Sequence, residues 1–346
     1  MSKQFDVIFL SNNAIGNTLE MLYAIEYCLY NNIKAAIYVA PLLKSFKDYL
    51  VDCYGDEVIL DSLDGVTTKN LIDTFIVNYR VDIEYDNYIY ISPDKHSTKY
   101  KSETEQYLDV VKALYPSNYN SYILTYLKAK ETPRIKELNI KEKYVIYPGC
   151  SSSAAVRRWP RYMELIEDLG EDNVVVVGGN DDLNNEYAYI YPKYLTTIMP
   201  IKLTNNVKFW NICKKLNLLK PYAHNNKISK LKYSFFNLFT WEELAYIFKN
   251  AKAFIGNDGG LMHFASSVGA KGIAIFGPTS VDKSKSYNPN VKEMLTNYDC
   301  QPCFFEVGRV ICRDYAISCP YQVKCLQNIS VDDVKRTLKE IEVINE

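Results

Sequence analysis

Residues 252–279 of the chain read KAFIGNDGGLMHFASSVGAKGIAIFGPT, and this stretch decides the fold class. KAFIGN and GIAIFG are short apolar runs typical of buried strands, and LMHFASSV between them predicts a short helix that ends at Gly269. Asp258, Gly259 and Gly260 form the turn between the first strand and the helix. The stretch is therefore a compact βαβ unit whose turn lies at the carboxyl end of a strand.

The same alternation of strands and helices runs along the rest of the chain, which predicts an α/β fold with parallel sheets and helices on both faces. Residues 129–143 are charged, contain a proline and lack apolar periodicity, so the predicted domains are 1–141 and 142–330, with a closing helix at 331–346. Two such halves predict a ligand in the cleft between them, since parallel sheets bind ligands beyond the carboxyl ends of their strands. In the first half, the predicted strands are 5–10, 33–39, 57–60, 73–79 and 87–91, and a helix is predicted over 103–129.

The composition bounds the class of protein. A chain of 346 residues is long enough for two domains, and its 48% hydrophobic and 23% charged residues are typical of globular proteins. No segment reaches the roughly 18 uninterrupted apolar residues of a transmembrane helix, and the N-terminus does not resemble a signal peptide. We therefore expect a cytoplasmic protein whose nine cysteines are reduced or bind metal rather than form disulfides.

The turn at Asp258 has the features of an anion site. The first amides of the following helix, at Gly260, Leu261 and Met262, point outward where about half a positive charge collects. A pyrophosphate can span them without a metal ion, with His263 close enough to donate to its oxygens, whereas Asp258 suits the hydroxyls of a sugar. The alternative, a glycine turn with Asp258 as an N-cap and His263 as a surface residue, stays open at this point. A dinucleotide site is disfavoured, because no G-x-G-x-x-G follows a strand.

A second loop with phosphate-binding chemistry follows the strand predicted at 144–149. Residues 148–160 read PGCSSSAAVRRWP, and serine hydroxyls with arginine guanidiniums are phosphate ligands. A solvated serine loop with Trp159 as a core anchor is the structural alternative. Two anion-binding strand ends in one half of the chain favour the functional interpretation.

Together, RRWP (157–160), the 252–279 stretch and the tail resemble glycosyltransferase family 9, the ADP-heptose:lipopolysaccharide heptosyltransferases. That family's second domain carries K/R-x-W-P, then D-[ST]-G-x-x-H and G-P-T, and CQPCFF (300–305) and CPYQVKCLQNI (319–329) resemble its cysteine-containing tail. The resemblance covers residues 143–345 firmly and the first half only by its strand–loop–helix start. It implies the GT-B fold, in which two Rossmann-like domains face each other across a cleft and the last helix returns toward the first domain.

The resemblance also implies a donor site and the roles of its residues. Gly259 departs from the family's serine or threonine at that position, which removes one hydroxyl contact. The residues so implied are Ser152, Ser153 and Arg157 for the phosphates, Glu186 for the ribose, Phe239 for the nucleobase, Asp258 for the sugar, and Gly259, Gly260, Leu261 and His263 for the pyrophosphate.

The family places an aspartate after the glycine of the first loop, where an inverting transfer needs a general base. Here that pair is Gly16-Asn17, and an amide cannot act as a base at neutral pH. Glu20, three residues on and on the same helix face, is our candidate for the catalytic base, with Asp258 as the second catalytic residue. Two alternatives stay open: Glu20 is an ordinary first-turn glutamate favoured by the helix dipole, or the protein is catalytically silent.

The segment around 190–236 looks like an insertion relative to the family and is basic, since 187–241 contains nine lysines and no acidic residue. Lysines interleaved with apolar side chains suit a membrane interface or an anionic glycolipid, and a solvated excursion or an oligomer contact is the alternative. Nucleic acid is disfavoured as a partner, because the whole chain has a formal net charge of −1. Five cysteines crowd the tail, and their spacing favours buried free thiols over a zinc or iron site: Cys300, Cys303, Cys312, Cys319 and Cys325.

We therefore expect an inverting glycosyltransferase that moves a heptose from ADP-heptose to a cell-envelope glycan or glycolipid, with no cofactor besides this nucleotide-sugar substrate. Peripheral contact with the inner face of the membrane would accompany such an acceptor. The alternative is a catalytically silent sugar-nucleotide-binding or scaffold protein, which Asn17 suggests.

Overall fold

The computed structural model describes residues 3–11, 14–39, 43–73, 83–91, 101–179, 187–193, 195, 206–224, 228–303, 311–313 and 316–343. The described part contains two parallel sheets, one on each side of the boundary predicted at 141/142, and a small mixed sheet joins two later segments. The predicted α/β fold class is confirmed.

The elements of the first half are β1 (Lys3–Leu10), α1 (Ile15–Tyr30), β2 (Ala35–Tyr38), α2 (Lys44–Tyr54), β3 (Ile59–Leu60), β4 (Val66–Asp73), β5 (Glu84–Tyr90), α3 (Glu103–Leu114), α4 (Pro133–Glu137) and a 3-10 turn (Ile140–Glu142). The five strands are all parallel and lie in the order β3-β2-β1-β4-β5. The central strand is an apolar run in which Val7, Ile8 and Phe9 are fully buried, as expected where helices cover both faces of a sheet.

The elements of the second half are β6 (Tyr144–Tyr147), a 3-10 helix (Ser152–Arg157), α5 (Tyr162–Leu169), a 3-10 turn (Glu171–Asn173), β7 (Val174–Gly178), β8 (Tyr187–Ile190), α6 (Val207–Lys215), β9 (Lys220–His224), a 3-10 turn (Ile228–Lys230), β10 (Ser234–Phe236), α7 (Trp241–Asn250), β11 (Ala253–Asn257), α8 (Gly260–Ser267), β12 (Gly272–Ile275), α9 (Val281–Ser284), β13 (Val291–Met294), β14 (Ile311–Arg313), β15 (Ala316–Ser318), α10 (Lys324–Gln327) and α11 (Val331–Val343). Six of these strands form a parallel sheet in the order β10-β7-β6-β11-β12-β13. Helix α7 begins with the capping box expected from TWEEL, in which Thr240 Oγ1 accepts from the Glu243 amide (3.3 Å) and Glu243 accepts from the Thr240 amide (2.9 Å).

Helix α1 is buried on nearly every face, because it lies between the first sheet and helix α8 of the second half. Its buried side chains include two glutamates, Glu20 and Glu26. Glu26 accepts hydrogen bonds from the Tyr54 hydroxyl (2.7 Å) and from the amides of Thr125 (2.9 Å) and Tyr126 (3.1 Å). These bonds satisfy a buried carboxylate and fasten the loop after α3 onto α1.

Two elements of the first half differ from the sequence prediction. Helix α3 ends at Leu114 rather than at 129, because Pro116 and the polar residues after it cannot continue a helix. The chain then crosses to the second half, where the Leu124 amide donates to the Ser267 carbonyl (2.7 Å). The sequence analysis did not predict β4, because its polar residues obscure the strand pattern. Of the strand predicted at 73–79, residues 74–79 lie outside the described part.

The basic segment and the cysteine-containing tail, which are far apart in the sequence, share a four-stranded sheet in the order β14-β15-β8-β9. Strand β8 pairs with β9 in the antiparallel sense and with β15 in the parallel sense. Helix α6, between β8 and β9, begins at Asn206, whose side chain accepts from the Lys208 amide (2.9 Å). The described part of the insertion is therefore a folded unit tied to the tail.

The cysteines whose side chains are described are free thiols, and most of them are buried. Cys300, Cys303, Cys319 and Cys325 are among them, and the side chain of Cys312 lies outside the description. Burial raises the pKa of the Cys325 thiol to about 12, which favours its neutral form. Within the described ranges, no group of three or more His, Cys, Asp or Glu side chains is placed to hold a metal ion.

The closing helix α11 packs against the second sheet through Val334 and Leu338. The Tyr144 hydroxyl on β6 donates to Glu342, near the end of this helix. The predicted return of the helix toward the first domain is not among its described contacts. None of the described helices is long and apolar enough to cross a membrane.

Candidate active site

A cleft of about 1250 Å³ lies between the carboxyl ends of the two parallel sheets. One wall is formed by the N-terminus of α1, part of α2 and Glu103 of α3, and the other by the segments that follow β6, β7, β10 and β11. This is the position at which open parallel sheets bind ligands. The predicted cleft between two α/β halves is therefore present.

The turn after β11 places Asp258 deep in this cleft. Gly259 occupies the N-cap position of α8, and none of the described side chains caps that helix, so Asp258 does not act as an N-cap. Its carboxylate is 2% exposed and pairs with Arg157 at 3.2 Å, and the same guanidinium nitrogen donates to the Asp258 carbonyl at 3.3 Å. The predicted sugar-binding and phosphate-binding side chains thus meet in one ion pair.

Asn257, the last residue of β11, fastens the two strand ends that carry this pair. Its amide oxygen accepts from the Trp159 backbone amide (2.9 Å) and the Tyr162 hydroxyl (3.0 Å), and its amide nitrogen donates to the carbonyls of Pro148 (3.0 Å) and Gly149 (3.1 Å). All of these groups are buried away from water or nearly so, which makes Asn257 a structural residue. The sequence analysis missed it, although a polar residue at the end of an apolar strand, directly before Asp258, was a usable signal.

The motif RRWP contains one residue that lines the cleft and two that are buried in the fold. Arg157 lines the cleft, whereas Arg158 is buried and donates to the Cys150 carbonyl (3.0 Å). The Trp159 indole is buried and donates to the Ile329 carbonyl (3.0 Å), so the core-anchor interpretation applies to Trp159. Within RRWP, the phosphate-binding prediction stays open for Arg157, which lines the cleft.

The expected pyrophosphate site lies at the N-terminus of α8. The first amides of that helix have no partner within the helix itself, and Gly259, Gly260, Leu261 and His263 all line the cleft. The backbone at Ser152 and Ser153 forms a 3-10 helix on the same side, but their side chains lie outside the description. Glu186, expected at the ribose, also lies outside the described residues.

Phe239, the predicted nucleobase contact, lines the cleft just before α7. The guanidinium of Arg134 lies over its ring at 5.0 Å from the centroid, and the Phe235 ring is 4.9 Å away. Arg134 is held by Glu243 through Nε (2.8 Å) and a second contact from Nη2, and this guanidinium lowers the pKa of Glu243 to about 2. Arg134 comes from the segment between the two halves and was not predicted from the sequence.

The N-termini of α1 and α8 abut across the cleft. A Cβ placed on Gly260 would lie 3.3 Å from Cβ of Ile15, and one placed on Gly16 would lie 3.1 Å from Cδ2 of His263. The His263 ring is 11% exposed and faces the cleft, and its Nδ1 is 3.8 Å from Glu20 Oε1. Burial lowers the pKa of His263, although Asp258 and Glu103 oppose the shift, so the ring is neutral at pH 7 and donates from one nitrogen.

Glu20, the predicted base, lines the cleft with a nearly buried carboxyl group. Burial is the largest cause that raises the pKa of Glu20 well above its usual range, followed by the charge of Glu103 and a hydrogen bond with it, and by the charge of Asp258. Lys283 opposes the shift. Glu20 therefore differs from Glu26 on the same helix, whose carboxylate accepts several hydrogen bonds from the protein.

A second carboxylate, that of Glu103, was missed by the sequence analysis. It is the first residue of α3, accepts a hydrogen bond from Asn17 Nδ2 (2.5 Å) and pairs with Lys283 of the second half (3.1 Å). The sequence SETE at 102–105 carries a capping box that could have located the start of the helix. The contact with Asn17, however, joins residues that are far apart in the chain.

Comparisons with known proteins agree with this description. Residues 236–310 match the model of glycosyltransferase family 9 (heptosyltransferase). No match was found among curated proteins.

Several solved structures share the fold along nearly the whole chain. The glycosyl transferase family 9 protein from Veillonella parvula DSM 2008 is 13% identical over 100% of this chain and 99% of its own, with a TM-score of 0.60. The E. coli ADP-heptose LPS heptosyltransferase II is 12% identical over 98% and 99%, with a TM-score of 0.56. The dodecameric iron-containing heptosyltransferase TibC of enterotoxigenic E. coli, in complex with ADP-D-beta-D-heptose, is 13% identical over 99% and 78%, with a TM-score of 0.56. These findings confirm the resemblance predicted from the sequence: residues 236–310 match the family 9 model, and the solved structures share the GT-B fold along nearly the whole chain.

Proposed function

We propose that the protein is an inverting glycosyltransferase that moves a heptose from ADP-heptose to a cell-envelope glycan or glycolipid. The observation that carries the proposal is the Arg157–Asp258 pair inside the cleft, beside the N-terminus of α8, in which Asp258 is buried and belongs to the family-matched segment. The choice of donor is supported by TibC, a protein of the same fold described with ADP-D-beta-D-heptose bound.

The donor binds to the wall formed by Arg157, Asp258 and α8, which we call the donor wall. Its pyrophosphate lies on the first amides of α8, where the helix dipole favours negative charge. Arg157 reaches the phosphates while it stays paired with Asp258, which accepts hydrogen bonds from the sugar hydroxyls. The further donor residues in this proposal are Phe239 for the nucleobase, Glu186 for the ribose, and Ser152, Ser153, Gly259, Gly260, Leu261 and His263 for the phosphates.

The acceptor approaches from the opposite wall, formed by the start of α1 and by Glu103, which we call the acceptor wall. Its hydroxyl oxygen attacks the anomeric carbon, the bond from that carbon to the phosphate oxygen breaks, and the nucleoside diphosphate leaves with the bonding electrons. The α8 amides and Arg157 stabilise the charge that develops on the leaving diphosphate, so the proposal invokes no metal ion. A carboxyl group of the acceptor wall takes the proton of the acceptor hydroxyl, and Glu20 is the base predicted from the sequence.

The basic insertion is a candidate for contact with the acceptor or with the membrane surface. Helix α6 carries Lys208, Lys214 and Lys215 together with the exposed side chain of Ile212, and exposed Leu216 follows it. A cationic helix with exposed apolar side chains suits an anionic lipid surface. We therefore place the protein in the cytoplasm, at the inner face of the membrane.

A thermal-shift screen of ADP, UDP, GDP and NAD, followed by an assay for nucleotide release, tests the proposed function. We expect ADP to raise the melting temperature and ADP-heptose to be turned over with release of ADP. A strong shift with NAD and none with ADP would overturn the transferase. Binding of ADP without release of nucleotide from any donor would favour the silent sugar-nucleotide-binding protein that Asn17 suggests.

A further inference from the structure

The acceptor wall holds a carboxylate that neither the sequence nor the family resemblance assigns. The family resemblance implies an aspartate at position 17, and in this chain the Asn17 amide donates instead to the carboxylate of Glu103. We propose that Glu103 is the catalytic base of the transfer, delivered from α3 to the position that an aspartate on α1 would occupy. This inference rests on the proposed function and names the proton acceptor that it requires.

The Glu103 carboxylate lies one hydrogen bond away from the position that the family's aspartate side chain at residue 17 would occupy. Asn17 Nδ2 and Glu103 Oε2 are 2.5 Å apart, so the carboxylate oxygen lies directly against the end of the residue 17 side chain. Both residues line the cleft, opposite Asp258. A base on either helix would therefore face an acceptor hydroxyl in nearly the same place.

The neighbours of Glu103 are a cation and a hydrogen-bond donor. The Lys283 ammonium lies 3.1 Å from its other oxygen, and Asn17 donates to it from the first turn of α1. Glu103 also starts α3, where the helix dipole stabilises negative charge. A charged carboxylate that still reaches the cleft is what proton abstraction from a hydroxyl requires.

Glu20 lacks these features and serves as the partner of Glu103. Its side chain is 6% exposed, against 14% for Glu103, and no lysine or arginine among the described residues lies at ion-pair distance from it; the neutral His263 ring lies 3.8 Å away through Nδ1. Burial, followed by the charge of Glu103, raises the pKa of Glu20 well above its usual range, so this carboxyl group holds its proton more tightly than an ordinary glutamate and shares a hydrogen bond with Glu103. In other enzymes with two adjoining carboxyl groups that share a proton, one group is protonated while the other is charged and acts as the base.

The step balances with these groups. The acceptor oxygen forms its bond to the anomeric carbon as the bond from that carbon to phosphate breaks, and the electrons of the broken bond leave with the diphosphate. The hydroxyl proton passes to an oxygen of Glu103, which changes from carboxylate to neutral acid. The proton is later lost to solvent through the open cleft.

A structural role for Glu103 is the competing explanation, because its pair with Lys283 also ties the two halves together. The neighbouring pair Glu105–Lys285 (3.8 Å) provides a matched control, since it joins the same two regions but does not line the cleft. Glu105→Gln removes that charge and keeps the capping box of α3, which accepts glutamine.

The test measures release of ADP from ADP-D-beta-D-heptose with water as the acceptor, together with the Kd for ADP, in three variants and the wild type. We expect Glu103→Gln to lower the rate by about 10²- to 10⁴-fold and to leave the Kd for ADP within about twofold, since a general base contributes to the chemical step alone. Glu105→Gln should keep the wild-type rate. The double substitution Asn17→Asp with Glu103→Gln keeps the hydrogen bond with its partners exchanged, and it should recover at least about tenfold of the lost rate.

The outcomes separate this inference from the proposed function. A wild-type protein that neither binds ADP nor releases it from the donor would overturn the proposed function itself. A wild type that turns over while Glu103→Gln keeps more than half of its rate would overturn only the assignment of Glu103. The assignment of Glu103 would also be overturned if Glu103→Gln lost its rate and the double substitution recovered none of it, because Glu103 would then act through the fold rather than as a base.

Discussion

The donor wall and the acceptor wall of the cleft hold their charged groups in different ways. On the donor wall, Asp258, the glycine turn and the first amides of α8 belong to one continuous segment, and Arg157 joins them from the neighbouring strand end. On the acceptor wall, Asn17 and Glu103 belong to two helices and meet only because α1 packs beside α3. The donor wall relies on backbone amides, whereas the acceptor wall relies on side chains placed by tertiary packing.

This difference decides what a sequence reveals about each wall. A helix N-terminus after a strand has a fixed local order of residues, so the donor wall leaves a motif that can be found without a structure. A carboxylate that lies between two helices can be supplied by a residue of either helix, and neither choice leaves such a local motif in the sequence. Asn17 therefore suggests a lost base, although Glu103 lies one hydrogen bond away.

The largest effect is expected from Asp258→Ala on the donor wall. The substitution removes the partner of Arg157 and the acceptor for the sugar hydroxyls, so we expect donor turnover to fall by about 10³-fold. Binding of ADP-heptose should weaken by about tenfold, while binding of ADP, which has no sugar, should change much less. Calorimetry with both ligands measures the difference, and Asp282→Ala on the exposed side of α9 is the matched control. Equal losses for the two ligands would mean that Asp258 does not contact the sugar.

The parts of the fold that the sequence predicted well are those with local signals. Strand β11 lies within the predicted run KAFIGN, because an uninterrupted apolar run forms the strand, and a capping box marks the start of α7. The end of α3 and the position of β4 were not predicted, since polar residues in both cases obscure the periodicity. Packing of two sequence-distant segments into one small sheet, β14-β15-β8-β9, had no local signal at all.

The same division applies to the site. Asp258, Arg157 and the amides of α8 come from local motifs, and the structure brings them together on one wall, while their assigned roles stay predictions. Glu103 was missed, and so was Arg134 over the Phe239 ring, because each acts on a residue far away in the chain. The roles assigned to Ser152, Ser153 and Glu186 stay predictions.

The next largest effect, on stability, is expected from Asn257→Leu. This substitution tests how far the donor wall depends on the hydrogen bonds of one side chain. The change leaves four buried groups without their hydrogen-bond partner, so we expect the free energy of unfolding to fall by about 3 kcal/mol or more. Urea denaturation measures it. Asn250→Leu, which removes one half-buried hydrogen bond to Tyr246, should cost about 1 kcal/mol. Similar losses for both variants would show that Asn257 does not hold the strand ends together.

A smaller effect, on the acceptor wall, is expected in the pH dependence of stability. The pKa of Glu20 is raised in the folded protein. The stabilisation that Glu20 gives to the folded state is therefore complete below its pKa in the unfolded chain, about 4.3, and is lost as pH rises through its pKa in the folded protein. Glu20→Gln should therefore flatten the decline of the unfolding free energy above pH 5 and raise that free energy by about 1 kcal/mol at pH 8. Denaturation curves from pH 5 to pH 8 provide the measurement.

Glu26→Gln is the matched control for that prediction, because Glu26 lies on the same helix and its carboxylate is held by the protein. The control should be less stable than the wild type throughout this pH range, since it weakens charge-assisted hydrogen bonds. A Glu20→Gln variant whose unfolding free energy declines as steeply as that of the wild type would contradict the raised pKa of Glu20.

The smallest effect is expected from adding a hydroxyl to each wall in turn. Gly259 has an extended backbone (φ 168°) that any residue adopts, and a Cβ there would lie 3.7 Å from Tyr147, an ordinary contact. Gly259→Ser therefore restores the hydroxyl that the family has at this position, and we expect ADP to bind about three- to tenfold more tightly, with stability within about 0.5 kcal/mol of the wild type. Gly16→Ser on the acceptor wall places its Cβ 3.1 Å from the His263 ring, so that ring must shift, and both donor turnover and ADP binding should fall because His263 is a proposed phosphate contact. Calorimetry with ADP separates the two walls, because weaker binding in Gly259→Ser would mean that the phosphates do not approach the turn before α8.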